Sequence, residues 1–202
     1  MGQFGVGQGL RRVEDARFLT GHGRYTDDID LPNMSHAVLV RSPHAHADIV
    51  GLDIEEALQS PGVLGIYTIA DLDADEIGDI PCLTPLPSPS GDKPVMTGHP
   101  VLARHRVRHV GDPVVLVVAE TPGQARDAAD LVMVDYEELP SVVDTAAALS
   151  PDAPQLYEQA PNNQSLHWWL GDSTSNDDAF AKAAKVVTLD LVNNRVVANS
   201  ME

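Results

Sequence analysis

The chain has 202 residues, with 13 Lys and Arg against 30 Asp and Glu and a formal charge of −17. That length holds one large domain, or one domain and part of a second, with a real buried core. The charge disfavours a field-driven binder of nucleic acid or anionic lipid. A single cysteine, Cys82, excludes an intrachain disulfide, a thiolate zinc cluster and a chain-internal iron–sulfur site.

The opening residues lack a signal peptide's apolar core and no later run is long enough for a membrane span, so a soluble, cytoplasmic protein is expected. The glycosylation sequons at Asn33 and Asn163 carry little weight in that setting. Residues 2–9 carry four glycines, spaced unlike a dinucleotide loop and with no strand before them; they read as a flexible arm. Arg11 to Tyr25 reads as an extended lead-in anchored by Phe18, Leu19 and Tyr25. His36–Arg41 and Ala47–Leu52 read as strands, and Asp53 caps a short helix that runs to Gln59 and ends at Pro61-Gly62. Val63–Ile69 is the next strand, followed by a helical turn around Ala70–Leu72.

Charge then becomes uneven. From Gly51 to Asp92 there are nine acidic residues and no Lys or Arg, ending in a proline-rich excursion without regular structure. Lys93 to Val110 reverses this, with four basic residues, three histidines and no acid. The best-formed local pattern comes next. Val114–Ala119 is an unbroken, β-branched apolar run of the kind buried on both faces. Thr121 caps a helix with Pro122 in its first turn and Gln124 at the capping-box position. Ala125, Ala128, Ala129 and Val132 follow at helical spacing, and Val132–Tyr136 returns as a strand, so the segment reads as a β-α-β unit closed by Pro140.

Beyond Pro140 an alanine-rich stretch leads to a Pro-rich loop, the Trp168-Trp169 pair, and a helix capped at Ser175–Asp178 that runs to Ala184. Val186–Val192 and Arg195–Ala198 read as strands, and the end at Met201-Glu202 reads as a cut through a larger structure. Helix and strand signals alternate unevenly, so the expected class is α+β.

Four constellations are candidates for chemistry. His44 and His46 share a face if their segment is extended, a start for metal binding that lacks a third nearby ligand. His99, His105 and His109 with Arg104, Arg106 and Arg108 could hold an anion; pairing with the acidic stretch before them is the preferred reading. Asp112, in the Gly111-Asp112-Pro113 turn, is read as bonding its own turn backbone and not as catalytic. Asp172, Thr174, Asn176 and Asp178 faintly suggest a calcium loop, but Asp177 stands where that loop needs glycine, so helix capping is preferred. No nucleophile elbow, phosphate loop or zinc-protease motif occurs.

The stretch RRVEDARFLTGHGRYTDDIDLPNMSHAVLVRSPHAHADI resembles the opening of the molybdenum-binding large subunit of the xanthine dehydrogenase and aldehyde oxidase family, most of all its carbon monoxide dehydrogenase branch. The likeness is carried by Arg12, Glu14-Asp15, Phe18–Gly21, Gly23, Tyr25, Asp27-Asp28 and Arg41–Ala47. It continues through Arg108–Pro113, Ala128-Ala129, Val134–Glu137 and Leu139-Pro140, and NNRVVANSME is similar to the lead into that family's first cofactor domain.

The resemblance implies an arm at 1–19, an α/β-hammerhead domain at 20–140, and a strand-rich extension at 141–202 leading toward a molybdopterin-binding domain. Complete members hydroxylate aldehydes or heterocycles, or oxidise carbon monoxide, on a molybdenum–molybdopterin cofactor. Electrons leave through iron–sulfur clusters and FAD on partner chains or domains. By the same resemblance, the cofactor-contacting glutamine, active-site loop and glutamate base fall beyond Glu202. No residue of this chain is therefore assigned a catalytic, cofactor-binding or metal role. The expected partners are the remainder of the large subunit and the iron–sulfur and FAD subunits, with no nucleic acid.

Overall fold

The computed structural model describes Gly9, residues 11–81, Gly91 and residues 93–192. The glycine-rich arm (apart from Gly9), most of the proline-rich excursion with Cys82, and the strand expected at Arg195–Ala198 lie outside the described residues. The chain divides into two compact units, Met1–Met34 with Val187–Glu202, and Ser35–Val186. In chain order the strands are β1 (His36–Arg41), β2 (Ala47–Asp53), β3 (Val63–Tyr67), β4 (Arg106–Val107), β5 (Pro113–Ala119) and β6 (Met133–Glu138). The helices are α1 (Asp15–Leu19), α2 (Glu55–Leu58), α3 (Ile69–Ala74), α4 (Pro122–Asp130) and α5 (Ser173–Lys182).

Six strands form two antiparallel three-stranded sheets, ordered β1-β5-β3 and β4-β2-β6. The apolar run of β5 is explained by its central place: Val117 faces Val38 on β1 and Ile66 on β3. Val115, Val117 and Ala119 are fully buried along one face, and Val114 is buried on the other. The core cluster joins both sheets, drawing Val115, Val117 and Ile66 from the first, Ala47 and Val107 from the second, and Ala57 and Ala128 from α2 and α4.

The β-α-β reading needs correction. β5 and β6 flank α4 as expected, but they lie in different sheets: both sides of β5 are taken by β1 and β3, and β6 pairs with β2. Helix α4 therefore links two sheets. Thr121 caps it and Pro122 opens it as read from sequence, with the Gln124 backbone N–H donating to Thr121 Oγ1 at 3.3 Å; the Gln124 side chain takes the Thr121 hydroxyl at 2.8 Å and not the backbone N–H that a capping box uses. Ala125 and Ala128 are fully buried, so small side chains let the helix lie close on β1 and β5.

Smaller differences have local causes. β3 ends at Tyr67 because Thr68 caps α3, its backbone N–H and hydroxyl both donating to Asp71 Oδ2 at 2.7 and 2.9 Å; Ile69 becomes the first helical residue. Asp53 does receive the Glu55 N–H at 2.9 Å, but α2 is a single turn. α5 starts at Ser173, where the Asp172 carboxylate accepts the Thr174 N–H at 3.0 Å, so Ser175 lies inside the helix it was expected to cap. The helix ends at Lys182, not Ala184. The strand expected at Val186–Val192 is without a ladder partner among the described residues; β-pattern alone does not make a strand without an edge to pair with.

In the unit containing Met1–Met34, the lead-in is not extended. It forms α1, with the Thr20 hydroxyl donating to Ala16 O at 2.7 Å, and Thr26–Asp28 is a 3-10 turn. Phe18 stacks on Tyr25 with centroids 5.4 Å apart, as anchoring residues should. Leu19 does not anchor anything; it is 86% exposed.

Candidate functional site

Within Ser35–Val186, the three arginines of the basic strip each hold a different part of the fold. Arg104 pairs with Asp73 at the end of α3 and, through Nη2 at 2.9 Å, with Asp79. Arg106, on β4, grips Asp48 of the neighbouring β2 with two parallel bonds, Nε to Oδ1 and Nη2 to Oδ2 at 2.9 Å. Arg108 donates Nε to Leu156 O at 2.8 Å and lies over the Tyr157 ring, 4.3 Å from its centroid. The preferred reading of the strip, pairing with acids of the same chain, is what the structure has for Arg104. Arg106 finds its acid in Asp48, just ahead of the acidic stretch, and Arg108 uses a carbonyl and an aromatic face instead.

These groups line a cavity of about 240 Å³, bounded by Arg104, His105, Arg106, Arg108, Tyr157 and Gln159. Asp79 also lines it, so the pocket is mixed in charge. Of the strip's histidines, His99 contributes its carbonyl to a bridge with Ile80 (2.8 Å), and His105 its carbonyl to Ile49 N (2.9 Å). His109 Nδ1 lies 3.7 Å from Asp112 Oδ2. Arg104, His105, Arg106 and Arg108 thus share one cavity, and His99 and His109 are not among its lining residues.

The Asp48 carboxyl is held below the usual carboxylate range, chiefly by hydrogen bonding from Arg106, against an opposing effect of burial. A depressed folded value stabilises the fold above the unfolded value of about 3.9, and that contribution is lost as pH falls through the folded value. Asp48→Asn should therefore cost about 1 kcal/mol at neutral pH, since both side chains are roughly one-third exposed and partly screened. Urea titrations at pH 7 and pH 3 check this: the gap between parent and variant should be narrower at pH 3.

The two histidines of the pair turn to different partners. His46 is 4% exposed; its Nδ1 donates to Pro140 O at 2.7 Å and its Nε2 is buried without a partner. His46 O also accepts the Leu139 N–H at 2.9 Å, so this residue fastens the chain where it leaves β6. His44 instead packs its ring against Tyr136, centroids 5.0 Å apart, and burial raises the Tyr136 phenol above its ordinary value. No cluster of three His, Cys, Asp or Glu side chains suited to a metal occurs among the described residues. This donor set does not fit a metal–pterin group.

Asp112 is 8% exposed, and its carboxylate accepts the Arg108 N–H at 3.0 Å, while its own N–H reaches His109 O at 3.2 Å. The carboxylate thus closes its own turn. Ser42, also buried, donates its hydroxyl to His44 O at 3.1 Å. The Asp172–Asp178 segment is a helix start and first turns, as capping implied.

Asn163 stands out in the sequence only as part of a sequon, yet it organises the loop that follows β6. At φ 55°, its Oδ1 accepts Leu156 N at 2.8 Å and its Nδ2 donates to Ala148 O and Pro154 O at 3.0 and 2.9 Å. The one available signal is an Asn in a Pro-flanked loop, the residue type that both tolerates positive φ and bonds backbone. Asn163→Ala should cost about 2 kcal/mol by leaving partly buried backbone groups unpaired. Limited proteolysis should then cut within 147–163 well before parent chain is cut.

A second cavity, of about 340 Å³, lies in the unit containing Met1–Met34, between the Phe18–Tyr25 stack, Gly21, Gly23 and Asp28. Asp28 Oδ2 is already engaged there, accepting the Tyr25 N–H at 2.9 Å.

Two antiparallel sheets bridged by short helices place the described residues in the α+β class. The model of the aldehyde oxidase and xanthine dehydrogenase α/β-hammerhead domain matches residues 20–140. The chain belongs to that family. It is 39% identical over 199 residues to the carbon monoxide dehydrogenase large chain of Afipia carboxidovorans, covering 93% of this chain and 23% of that one. It is also 39% identical to the nicotine 6-hydroxylase large subunit of Paenarthrobacter nicotinovorans, covering 98% of this chain and 23% of that subunit. Among solved structures, the Cu,Mo-containing CO dehydrogenase in its carbon monoxide reduced state aligns with a TM-score of 0.70 at 38% identity, over 90% of this chain and 23% of that one. The chain thus spans about a quarter of the length of the relatives it matches. No helix among the described residues is long and apolar enough to cross a membrane.

Proposed function

We propose that this chain is the hammerhead-bearing portion of a molybdenum hydroxylase large subunit and acts structurally, with the chemistry residing elsewhere in the complete enzyme. The carrying observation is the alignment of nearly the whole chain with about a quarter of large subunits named for carbon monoxide and nicotine chemistry. In this reading residues 1–19 are an arm, 20–140 the hammerhead, and 141–202 a linker and the start of a molybdopterin-binding domain. The complete enzyme hydroxylates an aldehyde or heterocycle or oxidises carbon monoxide in the cytoplasm, passing electrons to iron–sulfur and FAD partners.

The purified 202-residue chain should contain no stoichiometric molybdenum or pterin and should oxidise neither benzaldehyde nor carbon monoxide. Stoichiometric cofactor or turnover would overturn the reading. A free-standing interaction module is the second reading, favoured by the half-exposed Trp168 and Trp169 beside Leu170, which is 87% exposed. The gene sequence past codon 202 separates the two: family sequence continuing in frame supports the first, and an immediate stop the second.

A further inference from the structure

Pairing within the chain leaves one arginine of the basic strip unmatched. Arg104 lies between two carboxylates, Asp73 and Asp79, and Arg106 is taken by Asp48. Arg108 makes no ion pair among the described residues; its Nε–H goes to Leu156 O and its plane rests on the Tyr157 ring. A carbonyl and an aromatic face fix the guanidinium without neutralising it. Both Nη groups of Arg108, and Nη1 of Arg106, are without a hydrogen-bond partner among the described residues.

Both arginines line the cavity of about 240 Å³, and Met96, Pro100 and Tyr157 supply apolar wall beside them. Arg106 and Arg108 stand two residues apart at β4, the spacing that puts side chains on the same side of an extended backbone. Val107, between them, is fully buried in the core on the other side. The cavity also has a negative feature: Arg104 alone answers two carboxylates, and Asp79 of that pair is in the wall.

We propose that this cavity binds a small monocarboxylate, its two oxygens on the Nη edge of Arg108 and its apolar body against Met96, Pro100 and Tyr157. A planar guanidinium fork matches a carboxylate bidentately. The unmatched charge is that of Arg108 alone, and Asp79 repels a second negative group, so a phosphate or a dicarboxylate is disfavoured. The volume is below that of drug-sized pockets and limits the body to about one ring. Glu158 is exposed and forms no ion pair among the described residues, so it opposes the ligand only through screening solvent. The site stands apart from the scaffold reading, which gives this cavity no role.

Benzoate titrated into the isotope-labelled 202-residue chain, followed by NMR, tests the site. The Arg108 Nε–H signal and the backbone amides of Thr97 and Gly98, which also line the cavity, should shift together and saturate with a Kd of about 1 mM. Benzamide, succinate and inorganic phosphate should each bind at least about 10-fold more weakly. Arg108→Lys keeps the charge and loses the fork, and should weaken benzoate at least about 10-fold. A thermal melt shows whether that variant is folded; if it is not, the parent titration decides by itself, because the shifted signals locate the ligand.

The absence of saturable shifts, or shifts centred away from Arg108, would overturn the proposal. Equal binding of benzamide would overturn it by making the cavity an apolar pocket, and tighter binding of phosphate or succinate would overturn the monocarboxylate assignment. Unchanged affinity in a folded Arg108→Lys chain would remove the fork that the proposal requires.

Discussion

A Val117→Asp chain should fail to reach a cooperatively folded state. Val117 is fully buried at the centre of β5, opposite Val38 and Ile66, inside the cluster that joins both sheets to α2 and α4. The cluster's other members there are apolar, so a carboxylate gains no partner from them. Ionised, it bears the cost of an unpaired charge in a low-dielectric interior; protonated, it still buries an unsatisfied hydroxyl and carbonyl. Either form costs at least about 4 kcal/mol, a large part of the roughly 5–15 kcal/mol that holds a typical domain together. Thermal melts followed by near-ultraviolet circular dichroism should show no sigmoidal transition. Val50→Thr, at a position 61% exposed on β2, should melt within a few degrees of the parent. A Val117→Asp melt close to the parent's would mean that β5 is not the axis of the core.

The same strand shows where sequence reasoning works and where it stops. Val114–Ala119 and the Thr121-Pro122-Gln124 start of α4 were legible because their determinants are local: burial on both faces writes an unbroken apolar run, and a cap needs its partner three residues on. Which strands flank β5 was not legible, because β1 lies more than seventy residues earlier and pairing leaves no local mark. The β-α-β reading failed for that reason. Charge behaved alike. That the Lys93–Val110 strip would find acids in its own chain could be read from the composition, but not that Arg106 would choose Asp48, nor that Arg108 would settle on Leu156 O and Tyr157. The family likeness pointed to the hammerhead family, whose model matches residues 20–140. Asn163 was missed because its three bonds tie together residues that only the folded loop brings near. Val186–Val192 is the informative failure: its pattern is that of a strand, and no described edge pairs with it.

Gly62→Ala should destabilise Ser35–Val186 by about 2 kcal/mol, from two separable causes. Gly62 sits at φ 79°, where an L side chain is strained by about 1 kcal/mol. It also lies against α4: a Cβ at Gly62 would fall on the side-chain amide of Gln124, the group that accepts the Thr121 hydroxyl at the helix start. Gly62 O receives the Glu120 N–H at 2.9 Å, tying the α2–β3 turn to the end of β5 and limiting how far the turn can move aside. Gln124 must therefore swing away, losing the bond it accepts from the Thr121 hydroxyl. A double-mutant cycle resolves the two causes. In a Gln124→Ala background the collision is gone and only the backbone strain remains, so Gly62→Ala should cost about 1 kcal/mol there, a coupling of about 1 kcal/mol. Equal penalties in both backgrounds would assign the whole effect to φ and leave the contact between this turn and α4 without energetic weight. A penalty near zero in both would mean that the turn relaxes freely, and would remove the claim that Gly62 is held in place by α4 and β5.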